Sequence, residues 1–227
     1  AKLTLKTLMN HCTAIKTSND WQKRVYKLRK EWLIAVNEAT RDKGTLLPSD
    51  GEVVGAVNRS SCERDVVDCS AGGLPGDLQK LWKTNYDRGY HIEYGYSCMG
   101  YEIAGGLGVK MALPDSEVYV MVGDGSYLMM NSEIFSSVML GLKLIIVVVD
   151  NGGYGCIHRL QENCGNSGFN NLIRDCRSTQ NEVMRVDFAA HARSMGAKSE
   201  EVEGIASLEK ALERARNSET TYVINIL

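Results

Sequence analysis

The stretch "GDGSYLMMNSEIFSSVMLGLKLIIVVVDNGGYG", Gly123 to Gly155, carries a carboxylate at Asp124 and a carboxamide at Asn151, each set among glycines. Two oxygen donors, one charged and one neutral, suit a hard cation such as Mg²⁺, which shares its octahedral shell between protein and the phosphates of a ligand. Gly123, Gly125, Gly153 and Gly155 flank the donors, so backbone can approach a diphosphate closely. Ser126 offers an amide and a hydroxyl at the start of the next segment. The pattern reads as a metal-diphosphate clamp. Its bland alternative is a pair of ordinary polar turns between strand and helix. A lone GDG would not separate the two, whereas GDG followed by Asn151 and "GGYG" favours the clamp.

Such a clamp needs elements that bring both donors to one place. "EVYVMV" (117–122) and "KLIIVVVD" (143–150) are almost wholly apolar, the habit of strands buried on both faces of a parallel sheet. "SEIFSSVMLGL" between them has helical spacing and supplies the crossover. Parallel strands joined by right-handed crossovers end on one edge, so Asp124 and Asn151 are expected side by side where ligands of such sheets bind. Further strands are expected at 65–70 and 221–227, and helices at 187–196, 206–216, in "LQKLWK" and in "YEIAGGLGVKMAL". Ser49 precedes a short helix in "SDGEVVGAVNRS". Upstream, Trp21, Val25, Leu28, Trp32, Ala35 and Val36 fall at helical spacing and Gly44 is a plausible stop. Residues 1–20 are weakly patterned and read as a linker. The expected fold class is α/β, a doubly wound and mostly parallel sheet with helices on both faces.

The composition narrows the partners. A chain of 227 residues with net charge -2 has no basic face for phosphate backbones, so nucleic acid is not an expected partner. Seven cysteines without a CxxC pair suit a reducing cytoplasm, and four scattered histidines do not make a zinc site. No apolar run approaches the roughly 20 residues of a membrane span, and no signal peptide opens the chain. A cytoplasmic protein without a membrane partner is expected. The start at Ala1 and the end on the strand-like "TYVINIL" predict a piece cut from something longer.

GDG followed one βαβ unit later by an asparagine pair resembles the thiamine-diphosphate motif. From about residue 45 onward the chain is similar to the diphosphate-binding domain of the acetolactate synthase and pyruvate decarboxylase group, which leaves 1–44 as an N-terminal linker and helix and 45–227 as the cofactor-binding domain. The resemblance implies thiamine diphosphate and Mg²⁺. Asp124, Asn151 and the Gly153 carbonyl would be the metal ligands. Gly123 would flank them, and backbone groups of Gly125, Ser126, Tyr154, Gly155 and Cys156 would hold the diphosphate. Asp150 stands where the family has the first asparagine of the pair. "YSCMGYEIAGGLG" (96–108) resembles the segment beneath the thiazolium, with Met99 as an apolar wedge, the Ser97 carbonyl accepting from the cofactor's amine, and Cys98 between them. "SAGGLPGD" (70–77) would wrap the diphosphate through amides of Gly72, Gly73 and Leu74. That match is looser, because Leu74 lacks the side-chain donor that acetolactate synthases carry there.

The wording "AGGLPGDLQKLW", "HIEYGYSCMGYEIAGGLGVK" and "GDGSYLMMNSEI" is similar to the branch of the family that opens a cyclic 1,2-diketone by C–C hydrolysis in inositol catabolism. It implies a small cyclic diketone as substrate. The alternatives are a carboligase or decarboxylase of the acetolactate synthase type, or a non-catalytic module that keeps the fold; intact Asp124, Asn151 and Gly153 argue against the last. His91 is expected to face the site, either as a ring contact or as a structural group, and His158 reads as structural. No stretch resembles the pyrimidine-binding domain, which in the family supplies the activating glutamate. No catalytic residue is therefore expected in this chain. That domain, in the same or a partner chain of a homo-oligomer, is the expected partner.

Overall fold

The computed structural model describes residues 1–84, 86–176 and 185–227. The chain forms two compact units, Ala1–Glu38 and Ala39–Leu227. The first holds α1 (Lys2–His11) and nearly all of α2 (Asn19–Ala39). The second helix follows the apolar spacing; the first lies in the weakly patterned stretch that reads as a linker.

In the second unit, β1 (Val66–Cys69), β2 (Tyr90–Ile92), β3 (Val118–Gly123), β4 (Ile145–Val149), β5 (Lys198–Val202) and β6 (Tyr222–Ile226) form one sheet of order β2-β1-β3-β4-β6-β5. Every pairing is parallel. The two strands that the sequence pattern does not announce are its edges. β2 is short and nowhere fully buried, and β5 reads Lys-Ser-Glu-Glu-Val. Neither has the apolar run that marks β3 and β4.

The period of two along each strand sends alternate residues to opposite faces. Tyr119, Met121, Ile145, Val147 and Ile224 enter one core, with Val53, Val54 and Val57 of α3 (Asp50–Ser60), Leu74 and Leu78 of α4 (Leu74–Leu81), and Leu208 and Leu212 of α10 (Ile205–Arg216). Val118, Val120, Val122, Ile146, Val148 and Val223 enter the other. They meet Ile103 and Leu107 of α5 (Tyr101–Ala112), Tyr127 of α6 (Asp124–Met129), Ile134 of α7 (Glu133–Leu140), and Phe188 and Ala192 of α9 (Phe188–Ser194). The remaining helix, α8 (Gly155–Asn163), comes after β4. A doubly wound sheet covered on both faces is the architecture that the apolar runs predict.

Candidate functional site

Gly123 pairs with Val149 at the carboxyl ends of β3 and β4, so the two chains leave the sheet at the same level. α6 begins at once with Asp124, while β4 continues through the 150–154 loop into α8. The loop after β1 leaves the same edge and leads into α4. Together with the turn before α5 these segments enclose a cavity of about 240 Å³. Its walls bring together Gly72, Gly73, Leu74, Ser97, Met99, Gly123, Asp124, Gly125, Ser126, Asn151, Gly153, Tyr154, Gly155 and Cys156. Asp50, Ala71, Val149, Ile157 and Arg159 complete the lining.

Asp124 is 1% exposed, and among the described residues its Oδ1 has no hydrogen-bond partner. Burial, reinforced by the charge of Asp150, pushes its carboxyl up to about 6, against the pull of backbone N–H groups of Gly153, Gly125 and Asn151. A buried carboxylate oxygen with no partner is costly unless something fills its coordination, so this atom fits the role of a cation ligand. Asp150 is turned to another task. Its Oδ1 accepts the Gly152 N–H at 3.0 Å, and its Oδ2 lies 3.7 Å from Arg185.

The loop that carries Asn151 and Gly153 is pinned from outside. The Tyr154 N–H donates to Asn171 O at 2.7 Å and the Ile173 N–H to Gly152 O at 2.8 Å. Gly153 has φ +139, and a side chain there would run into the Asn171 carbonyl. Only glycine keeps this backbone and the close approach together.

Helix ends around the cavity are open to a ligand. α3 is closed by its own capping box, with the Glu52 carboxylate on the Ser49 N–H at 3.0 Å and the Glu52 N–H donating to the Ser49 hydroxyl at 3.4 Å. The N-caps of α4 and α8, Gly73 and Tyr154, make no side-chain cap hydrogen bond. Open helix N-termini, a glycine-rich wall and an unsatisfied buried carboxylate fit a cation-bridged diphosphate.

Three expectations change at this point. Cys98 does not line the cavity. Its N–H goes to Glu93 at 2.8 Å and its carbonyl accepts the Ser70 hydroxyl at 2.7 Å, so both backbone groups are already committed. Tyr154 reaches the cavity, but its amide is committed to Asn171 and is not open to a phosphate. His91 is not in the lining: its Nε2 lies 2.8 Å from the Tyr101 hydroxyl and 3.7 Å from Asp68, on β1. His158 sits 3.3 Å from Glu162 one turn along α8, in keeping with a structural role.

Two residues escaped the sequence reading. Glu102 is 1% exposed and accepts the Ala71 and Gly100 N–H groups at 3.2 and 3.0 Å, and the Ser126 hydroxyl adds a further bond. It thus ties three cavity segments together. Its signal, an acidic residue inside an apolar helix directly after Met99, was present in the sequence. Arg159, on α8, reaches the wall beside Gly73.

The family profile for the C-terminal TPP-binding domain of thiamine pyrophosphate enzymes matches residues 70–226. The chain is 44% identical over 171 residues to the 3D-(3,5/4)-trihydroxycyclohexane-1,2-dione hydrolase of Bacillus licheniformis, covering 75% of this chain and 26% of that protein. It is 40% identical over 191 residues to the protein of that name from Bacillus subtilis, covering 84% and 29%. The chain thus spans little more than a quarter of the curated relatives that it matches. Among solved structures, the Rhodococcus jostii thiamine diphosphate-dependent 4-hydroxybenzoylformate decarboxylase superposes with a TM-score of 0.69 at 16% identity, covering 79% of this chain and 32% of that one, a likeness of fold. On the span of the profile match and the open cavity at the carboxyl edge, the chain belongs to the thiamine pyrophosphate enzymes, as their C-terminal TPP-binding domain.

Proposed function

We propose that this chain is the diphosphate-binding part of a hydrolase that cleaves the C–C bond of a cyclic 1,2-diketone, the trihydroxycyclohexanedione of its relatives' names, in inositol catabolism. The observation that carries the proposal is the buried Asp124 with its unpartnered Oδ1, in one cavity with Asn151 and Gly153. Asp124 through its side chain, Asn151 through its amide oxygen and Gly153 through its carbonyl would hold Mg²⁺. Amides of Gly72, Gly73, Leu74, Gly125, Ser126, Gly155 and Cys156 would surround the diphosphate, and Met99 and the Ser97 carbonyl would meet the rings.

Bound there, thiamine diphosphate supplies a nucleophile for a carbonyl carbon and an electron sink for breaking the bond beside it. This chain contributes placement: glycine walls would admit the diphosphate, α8 would offer it the N–H groups of its first turn and α4 that of Leu74, and Glu102 holds the Ala71 and Gly100 segments in place. The group that moves a proton on the pyrimidine ring must lie within hydrogen-bond reach of it. We assign that group to a pyrimidine-binding domain, in the same or a partner chain of a homo-oligomer, working in the cytoplasm. Among the described residues no helix is long and apolar enough to cross a membrane.

Asp124→Ala in the intact protein should lower Mg²⁺-dependent affinity for thiamine diphosphate well beyond tenfold by calorimetry, since a buried charged ligand is removed. Unchanged affinity would end the metal-site assignment. Product analysis on the ring diketone and on pyruvate separates the hydrolase from a carboligase or decarboxylase.

A further inference from the structure

Arg159 belongs to none of the motifs above, yet its side chain crosses to the opposite wall of the cavity. One guanidinium nitrogen lies 2.6 Å from the point where a side chain on Gly73 would begin. The missing side chain at Gly73 is the space that the guanidinium uses. Among the described residues Arg159 has no hydrogen-bond or ion-pair partner; the half-buried Asp50 nearby has its carboxyl raised by burial and then by Asp77, with Arg159 opposing them.

The guanidinium is exposed, and on this wall it faces the Asp50 carboxylate, whose Oδ2 lies 3.6 Å from the same point beside Gly73. Gly73 is the N-cap of the eight-residue α4, which has no side-chain cap, so the positive end of the helix dipole faces the guanidinium. The guanidinium and the Leu74 N–H at the start of α4 belong to the same cavity wall and can both serve an anion, while Pro75 has no N–H and the Gly76 N–H is taken by the Gly73 carbonyl at 3.1 Å. The same cavity holds an independent sign of a ligand, the 1% exposed Asp124 with its unpartnered Oδ1. Asp124 seeks a cation and the Arg159 wall seeks an anion. A metal-bridged diphosphate satisfies both at once.

We propose that Arg159 is a phosphate-contacting residue, its guanidinium joining the α4 N-terminus on diphosphate oxygens turned away from Asp124. This rests on the thiamine diphosphate reading of the cavity. A carboxylate of a substrate or product acid would use the same chemistry, so the test must separate the two sources.

Calorimetry on the intact protein provides it, with Mg²⁺ and either thiamine diphosphate or inorganic diphosphate as probe, and a small polyhydroxy acid as a third. Arg159→Gln should weaken both diphosphate probes about tenfold or more, the size of a lost charge-assisted contact, and Arg159→Lys should recover part of that. Arg159 is exposed on its helix, so thermal stability should hold in both variants. Diphosphate affinities at the wild-type value in Arg159→Gln, alongside their loss in Asp124→Ala, overturn the Arg159 assignment and leave the cavity reading intact. Weakened binding of the acid alone also overturns it. A wild-type protein that binds neither diphosphate probe overturns the cavity reading and this inference together.

Discussion

Glu102, in the first turn of α5, accepts the backbone N–H of Ala71 at 3.2 Å and so ties the glycine loop after β1 to the helix just beyond Met99. Its other oxygen holds the Gly100 N–H at 3.0 Å. Removing the carboxylate leaves two buried donors without a partner, each worth about 1–3 kcal/mol. Glu102→Ala should lose stability of that order in urea denaturation, and amide exchange at Ala71 and Gly100 should quicken. Glu102→Gln turns an NH₂ toward one of the two N–H groups and should fall between. A stability of Glu102→Ala equal to wild type would show that the carboxylate ties nothing.

Asp68 gives the pH dependence a sign. It is fully buried, and burial first, then the charge of Glu102, raises its carboxyl well above the ordinary value of 3.8. Between that value and its native pKa the folded protein holds a proton that the unfolded chain has released, so this group makes stability fall as pH rises through the window. Asp68→Asn cannot ionise and should flatten the decline. Urea midpoints measured from pH 4 upward check it; parallel profiles for the variant and wild type would refute it.

Gly153→Ala meets two obstacles, a φ of +139 that side chains avoid and the Asn171 carbonyl in the way. Strain of about 1–3 kcal/mol is expected, with a shifted loop and weaker Mg²⁺-dependent diphosphate binding. Gly76→Ala, inside α4 with nothing within 4 Å of the added carbon, is the control and should hold or raise stability, by up to about 1 kcal/mol. Equal melting temperatures for the two variants would remove the special role of Gly153.

Met99 is half-buried at the cavity wall, so truncation to Ala should cost less than a core methionine, about 1–2 kcal/mol. A wedge beneath the cofactor should show itself elsewhere, in slower exchange of the bound cofactor's thiazolium proton. Lost stability with wild-type exchange would make Met99 a packing residue.

The sequence by itself determined the sheet core and the two donors. Val and Ile runs at 118–122 and 145–149 have no stable home except strands covered on both faces, and parallel crossovers bring the residues just beyond such strands to one edge. That alone sets Asp124 near Asn151. The edge strands were hidden because β2 is three residues long and β5 is mostly charged, so their pairing comes from neighbours rather than from their own pattern. The tertiary structure decided what depends on side-chain direction and distant partners. Cys98 is not in the cavity wall and its backbone is taken by Ser70 and Glu93, and the Tyr154 amide is committed to the Asn171 carbonyl. Arg159 lines the cavity beside Gly73, and Glu102, buried and outside the lining, binds the N–H of Ala71 in its wall. Local periodicity states which face of an element is apolar, but it holds no information on which loop from elsewhere in the chain will stand opposite a given side chain.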